Sequence, residues 1–406
     1  MNAFVGFFRN TEPRVLALAV AETLVYAGMY YIFPALLGRW EAEFGWSKTS
    51  LTLALTGALV AAALSAPVAG QVIDRGHGRA MMTLSTLAGG LLIGLLVLVE
   101  QQWQFFVIWA ALGVAFAGCF YEPCFAFITH ARGLAARKII TSITLIAGFA
   151  STVSYPLITW LAETVGWRAG AGGAAVLLLV LGVPLMWFGA ASRPGDYVAP
   201  PTPAENDDPE GSPRDGLRAA MRRPVFWLLA FAFSMIALNH GVIITHLFPL
   251  LEDRHVPLQW AVIAAMCIGP MQVAGRIGMV LTERWLSAAA VCGLSYVAMA
   301  VASGSLFLAA WLPMLIALFV IGQGAGIGVT SITRPVVTAD VLGRRQFGAI
   351  SGALALPYTG ATAAAPILGS LIWQVGGYDA VLKATLAMAL AGLAAFVAAL
   401  RLARGS

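Results

Sequence analysis

The feature that most constrains this chain is a series of apolar runs, each long enough to cross a bilayer. They start near Val15, Thr49, Ala80, Phe105, Ile139, Ala169, Val225, Leu258, Ala288, Pro313, Phe347 and Ala380. A spanning helix needs about 20 predominantly apolar residues. In hydrocarbon only a helix or a closed barrel satisfies its own backbone. Twelve runs of this length therefore predict an all-α membrane protein with twelve transmembrane helices. Composition agrees: 60% of the 406 residues are hydrophobic and 11% are charged, whereas about a quarter of a soluble domain is charged. The opening stretch MNAFVGFFRN lacks the apolar core and small-residue cleavage site of a signal peptide and is expected at the membrane surface.

Orientation follows from the cations at the ends of the runs. One side holds 17 Arg and Lys, from Arg9 and Arg14 to Arg401 and Arg404, and the other holds only Arg39, Lys48, Arg168, Arg254 and Lys383. Positive residues mark the cytoplasmic side, so both termini are expected in the cytoplasm and the chain in a bacterial inner (plasma) membrane. The net charge of +5 is then a topology signal set by the lipid bilayer, and it calls for no nucleic-acid partner. Cys119, Cys124, Cys267 and Cys292 all fall inside the runs without metal-ligand spacing, so they read as packing residues, with no metal site and no disulfide framework. A phosphate-cradling Gly-x-x-x-x-Gly-Lys is absent, as are His-Glu-x-x-His and Gly-x-Ser-x-Gly. ATP hydrolysis, the two commonest intramembrane hydrolase chemistries and any bound cofactor are not expected.

Between the sixth and seventh runs, residues 192–223 (SRPGDYVAPPTPAENDDPEGSPRDGLRAAMRR) are rich in Pro, Asp and Glu. They read as a cytoplasmic linker between an N-terminal half, residues 1–191, and a C-terminal half, residues 224–406. The halves echo each other. YIFPALL in the first run returns as HLFPLL in the seventh; PLITWLAETVG in the fifth returns as PILGSLIWQVG in the eleventh; Asp74-Arg75 returns as Glu283-Arg284. Order and offset agree, which predicts two pseudo-symmetric six-helix bundles, an arrangement typical of transporters built from repeats.

The loop GQVIDRGHGR, residues 70–79, resembles the Gly-x-x-x-Asp-Arg loop of the major facilitator superfamily, with His77 where the family usually has glycine. The number of runs and the central linker agree with that family across the chain. The resemblance implies a secondary transporter, not an enzyme, working by alternating access as a monomer. Within it Gly70, Asp74, Arg75 and Arg79 would form a conformational latch. In the eighth run MQVAGRIGM resembles the monocarboxylate and oxalate/formate transporter group, which implies that Arg276 binds a substrate carboxylate, with Gln272 one turn before it.

Charges inside the runs are the remaining candidates, because an ionised side chain in the bilayer core is costly unless it faces water, a partner or a ligand. Glu122, in CFYEPCFAFITHARG, and Arg334, in the tenth run, each precede by ten residues the first cytoplasmic arginine, Arg132 and Arg344. At 1.5 Å per residue this is about 15 Å, half the hydrocarbon core. Opposite signs at matching depths could pair in one conformation and part in another. On a regular helix Glu122 shares a face with Ala115, Gly118, Cys119, Ala126 and Thr129, and Arg334 shares one with Gln323, Gly326, Ile327 and Thr330. Glu22, Tyr26 and Tyr30 are spaced by four on the first run, and Asn239 and His240 stand near the middle of the seventh. The leading expectation is transport of a small organic anion held by Arg276 and Arg334 with Gln272, Tyr26, Tyr30, Asn239 and His240 lining the site. Glu122 or Glu22 would take the coupling proton. The alternative is a proton-coupled exporter of cationic or amphipathic compounds, held by the same carboxylates.

Overall fold

The structure is a computed structural model that describes residues 12–132, 136–191, 213–282, 284–343 and 347–405. The expected surface segment at the N-terminus, most of the expected linker, Glu283 and Arg344 lie outside the described residues. Every regular element among the described residues is helical.

Helices long and apolar enough to cross a membrane are Pro13–Phe44, Lys48–Asp74, Gly78–Leu96, Gln102–Thr129, Ile139–Thr164, Trp167–Gly189, Pro224–Thr245, Leu258–Met279, Ala288–Leu308, Leu315–Leu342 and Ile350–Ala403. The last is 54 residues long and supplies two spans, because Gly376 and Gly377 interrupt it. Gly377 has φ 63° and ψ −163°, a backbone conformation open to glycine and essentially closed to residues with a Cβ. The twelve spans thus start within a few residues of the twelve expected positions. Within the expected linker Pro213–Arg222 is a helix, with Pro213 at its start, and Ala220 is buried in a core with Phe226, Leu229 and Phe396. Proline at a helix start loses no hydrogen bond, and the Arg, Ala and Met that follow are good helix formers.

The described residues divide into two compact units. One holds residues 12–46, 57–132 and 136–191, the other residues 47–56, 213–282, 284–343 and 347–405. In the first unit several spans are irregular, and the breaks in the first, fourth and sixth lie where proline removes a backbone donor. Pro34 leaves the Tyr30 carbonyl without its usual partner, and Tyr26–Tyr30 is a π-helical turn closed by Tyr31 N–H donating to the Tyr26 carbonyl at 3.0 Å. The Ala27 carbonyl, displaced from the α-helical pattern, accepts from the Ser154 hydroxyl of the fifth span at 2.7 Å. Pro123 does the same to Cys119. The fourth span stops at Cys119, Phe120 is extended (φ −84°, ψ −171°), and a new helix starts at Tyr121. Pro184 follows a second π turn, Leu178–Gly182. These are the breaks expected where a proline ring meets the carbonyl four residues back.

The second unit is held by close helix approach. The tenth span carries glycine on two faces. Gly322 and Gly326 lie against Ala298, Ser295 and Met299 of the ninth span, and Gly324 and Gly328 lie against Ile268, Met271 and Gln272 of the eighth. A Cβ at Gly328 would stand 2.4 Å from the Gln272 carbonyl oxygen. Without a hydrophobic force between helices in lipid, such small-residue seams supply the association.

Candidate functional site

In the first unit the breaks in the first and fourth spans meet. The Tyr26 ring packs on Phe120 and Tyr121, centroids 4.5 and 4.4 Å apart, and its hydroxyl accepts from the Tyr121 backbone N–H at 3.4 Å. Tyr30 follows with its centroid 6.2 Å from that of Tyr26. Glu22, one turn before Tyr26, is wholly buried, and among the described residues no nitrogen or oxygen donor reaches either carboxylate oxygen. Cys119 and Cys124 lie on either side of the break, and the Cys124 thiol, a weak donor, is the side chain that reaches the Glu22 carboxyl. An ionised carboxylate buried without a partner costs several kcal/mol, so this site calls for a proton or a cation. The cysteines, read from sequence as packing residues, thus bracket the most deeply buried acid of the unit.

Glu122 has the opposite surroundings. The break at Phe120 divides the face expected from a regular helix: Ala115, Gly118 and Cys119 are buried, whereas Glu122, Ala126 and Thr129 are exposed. Glu122 stands in the first turn of the helix beginning at Tyr121, at the positive end of that helix's dipole. The physical cause is Pro123. By ending one helix and beginning another, it changes the direction of the face on which the carboxylate lies.

The loop expected as a latch closes locally. Asp74 ends the second span and is exposed, Arg75 is exposed, and Gly76 turns the chain with φ 81°. Gly78, the shifted glycine of the motif, starts the third span beside Phe127; a Cβ there would lie 2.6 Å from that ring. Arg79 donates from Nε to the Trp187 carbonyl at 3.0 Å and stacks on the Trp187 ring at 3.6 Å. It therefore ties the loop to the sixth span. Gly70 has open space around its α-carbon.

In the second unit Arg276 is 8% exposed and donates from Nε to the Gly328 carbonyl at 3.2 Å and from Nη2 to the Ser331 hydroxyl at 3.3 Å. Gln272, one turn earlier, is partly exposed. Arg334 lies three residues beyond Ser331 on the same helix, so the two guanidinium groups attach to successive turns of the tenth span. Arg334 stacks on Tyr358 at 3.8 Å, and its buried Nη1 has no hydrogen-bond partner among the described residues. The face expected to run with Arg334 packs into the unit instead. Gln323 is wholly buried, Gly326 meets Met299 and Ser295, and Thr330 bonds to Ser295 at 2.9 Å.

Asn239 is wholly buried, and both ends of its amide are used. It donates to the Ser303 hydroxyl at 3.0 Å and the Thr385 carbonyl at 2.8 Å, and accepts from Gln323 at 3.3 Å. It therefore joins the seventh span to the ninth, tenth and twelfth. His240 is partly buried and takes a second Gln323 N–H at Nδ1, 3.2 Å away. The structure brings Asn239 and His240 to one network, Arg276 and Arg334 to another, and Glu22, Tyr26, Tyr30 and Glu122 to a third.

Residues that sequence reasoning passed over complete these clusters: Tyr121, Ser154, Ser331 and Tyr358. Only Ser331 and Tyr121 had a signal, one turn before Arg334 and next to Glu122. Tyr358 and Ser154 reach their partners from other spans.

The family model of the Major Facilitator Superfamily matches residues 18–356. No curated protein matches the sequence. Among solved structures, the chain is similar to a bacterial homologue of the human lysosomal transporter Spinster in an inward-facing, occupied conformation. The TM-score is 0.72 at 15% identity, over 97% of this chain and 98% of that one. The same bacterial homologue in an inward-facing, unoccupied conformation gives a TM-score of 0.66 at 16% identity, over 97% and 96%. At that identity the likeness carries the fold. The family match spans most of the chain, the described residues are all-helical with many apolar helices long enough to cross a membrane, and the chain belongs to the Major Facilitator Superfamily of membrane transporters.

Proposed function

We propose that this chain is a secondary transporter that moves a small organic anion across the bacterial inner membrane by alternating access, with both termini in the cytoplasm and with proton coupling through Glu22 and Glu122. The observation that carries the anion reading is Arg334. Its guanidinium is held on the Tyr358 ring inside a membrane span with a buried N–H left unsatisfied. An unsatisfied charged donor costs more than a neutral one, and a carboxylate ligand supplies the missing acceptor. Arg276, anchored one turn away through Ser331, adds a second planar donor of the kind that grips carboxylates through paired hydrogen bonds.

Glu22 supports the coupling reading, since a wholly buried carboxyl without a charged partner exchanges between neutral and charged forms at high cost and so responds to what binds beside it. A second reading, export of cationic or amphipathic compounds, is favoured by the exposed Glu122 beside tyrosine rings.

Thermal stabilisation of the purified protein by small carboxylates, aromatic acids and cationic drugs separates the readings. For an anion that stabilises it, Arg276→Lys is expected to lower affinity at least tenfold and Arg276→Ala to abolish binding. Normal anion binding by Arg276→Ala overturns the assignment. Glu22→Gln is expected to abolish pH-driven accumulation in proteoliposomes while substrate-for-substrate exchange continues; retained accumulation removes Glu22 from the coupling path.

A further inference from the structure

Two histidines of the second unit stand on the seventh span or at its end, and their rings are held differently. His246, at the C-terminal cap, is wholly buried, and its Nε2 donates to the Pro366 carbonyl at 3.1 Å; this is packing between helices. His240 is partly exposed. Its Nδ1 faces the Gln323 side-chain amide at 3.2 Å, whereas its Nε2 bonds to no described residue and is not sealed in the interior.

The position of the proton on the His240 ring follows from tracing the amides back to a group that has no choice. A backbone carbonyl can only accept. The Thr385 carbonyl, 2.8 Å from one end of the Asn239 amide, therefore faces Nδ2, which also donates to the Ser303 hydroxyl at 3.0 Å. Asn239 Oδ1 is left facing Gln323, and it too can only accept. The Gln323 atom 3.3 Å from it is therefore the amide nitrogen, and the second N–H of that nitrogen reaches His240 Nδ1. A donor at that place requires a bare lone pair on Nδ1, so the ring proton sits on Nε2. Gln323 Oε1 is buried and has no partner among the described residues, yet turning the amide over would set oxygen against oxygen at Asn239. A proton on Nδ1 would set N–H against N–H at Gln323. Relieving that contact means turning both amides, and the Thr385 carbonyl blocks the second turn.

We propose that the chain of hydrogen bonds from the Thr385 carbonyl through Asn239 and Gln323 fixes His240 as the neutral Nε2–H tautomer, so that His240 offers the transported molecule a hydrogen-bond donor and carries no proton. Asn239 and Gln323 are positioning residues in this arrangement: both are wholly buried and act through the ring. The group that His240 recognises is an acceptor, a carboxylate or carbonyl oxygen. That this acceptor belongs to a small organic anion rests on the function proposed above; the tautomer rests on the second unit's hydrogen bonds alone. Such a donor discriminates strongly, because a ligand without an acceptor displaces water from the N–H and leaves it unpaired.

The test uses the full chain in lipid bilayers, isotopically labelled at the histidine nitrogens. Nitrogen chemical shifts in solid-state magnetic resonance separate the two neutral tautomers from the imidazolium, and the His240 signal is the one lost in His240→Gln. At neutral pH His240 is expected as the Nε2–H tautomer; an Nδ1–H tautomer or an imidazolium overturns the assignment. Gln323→Glu puts an acceptor where Nδ1 now meets a donor, and it is expected to bring a proton to Nδ1. Gln323→Met, apolar and of similar length, lifts the constraint and is expected to show a fraction of the Nδ1–H tautomer. A signal unchanged in Gln323→Glu, or in Gln323→Met should the first variant not fold, overturns the role of the amide chain. Hexanoate and hexylammonium, titrated calorimetrically against the purified protein, test the ligand. His240→Leu is expected to weaken hexanoate by about tenfold or more, the loss of one hydrogen bond to a charged acceptor. His240→Gln, whose amide N–H can take the place of Nε2–H, is expected to restore most of that affinity, and hexylammonium, which has no acceptor, is expected to respond to neither variant. Unchanged hexanoate affinity in His240→Leu overturns the donor role. Hexanoate that fails to bind the wild type overturns the organic-anion reading and the acceptor named from it, while the tautomer stands or falls on the nitrogen spectra.

Discussion

Replacing Gly328 by alanine adds one methyl group where the eighth and tenth spans come closest. An ideal Cβ there would lie 2.4 Å from the Gln272 carbonyl oxygen and 2.7 Å from its Cα. Both are backbone atoms, so no side-chain rotation relieves the overlap, and the helices must separate by about 1 Å to restore ordinary contact. Overpacking of this sort costs about 1–3 kcal/mol. The same separation lengthens the bond from Arg276 Nε to the Gly328 carbonyl, now 3.2 Å, beyond useful range; hydrogen bonds to charged groups contribute about 1.5–3 kcal/mol. Alanine returns up to about 1 kcal/mol in helix propensity, leaving a net destabilisation of about 1.5–5 kcal/mol. Gly278 supplies the control. It lies on the eighth span with nothing within 4 Å of its ideal Cβ, so Gly278→Ala is expected to be neutral or to stabilise by up to about 1 kcal/mol. Thermal and denaturant unfolding of both variants in the same detergent measures the contrast. Anion affinity measured in parallel reports on Arg276 and is expected to fall in Gly328→Ala alone. Equal stability of the two alanine variants refutes the packing argument.

Two other expectations concern the first unit. Asp74→Asn removes the exposed carboxylate of the loop that Arg79 anchors to Trp187, and initial transport rates in proteoliposomes are expected to fall while thermal stability stays unchanged; full transport by this variant removes Asp74 from the latch. Ser154→Ala deprives the Ala27 carbonyl of its donor at the π turn, and unfolding measurements are expected to show a loss of about 1–2 kcal/mol, the cost of leaving a buried acceptor unsatisfied.

The spans were legible from sequence because the bilayer imposes a one-dimensional rule. A run is either long and apolar enough to cross or it is not, and neither neighbours nor packing alter that test. For the same reason the costly residues were visible at once: Glu22, Glu122, Arg276 and Arg334 stand out against hydrocarbon whatever the helices do around them. The Gly-x-x-x-Asp-Arg loop was legible because its residues are contiguous.

What surrounds each charge was decided by the tertiary structure. A helical wheel turns 100° per residue only while the helix is regular, and here Pro34 and Pro123 disturb it beside the residues that matter. Glu22 and Glu122, both read as acids on small or aromatic faces, become one buried group without a charged partner and one exposed group at a helix start. Asn239 and His240 present a comparable case. Their positions near mid-span were evident, but the amide of Asn239 is taken up by Ser303, Gln323 and Thr385, 64, 84 and 146 residues away. Tyr358 under Arg334 carries no local mark for the same reason. Sequence alone determined which groups must be neutralised inside the membrane. The packing of distant spans determined what neutralises them, because hydrogen bonds and ring contacts act over a few ångströms in space and take no account of separation along the chain.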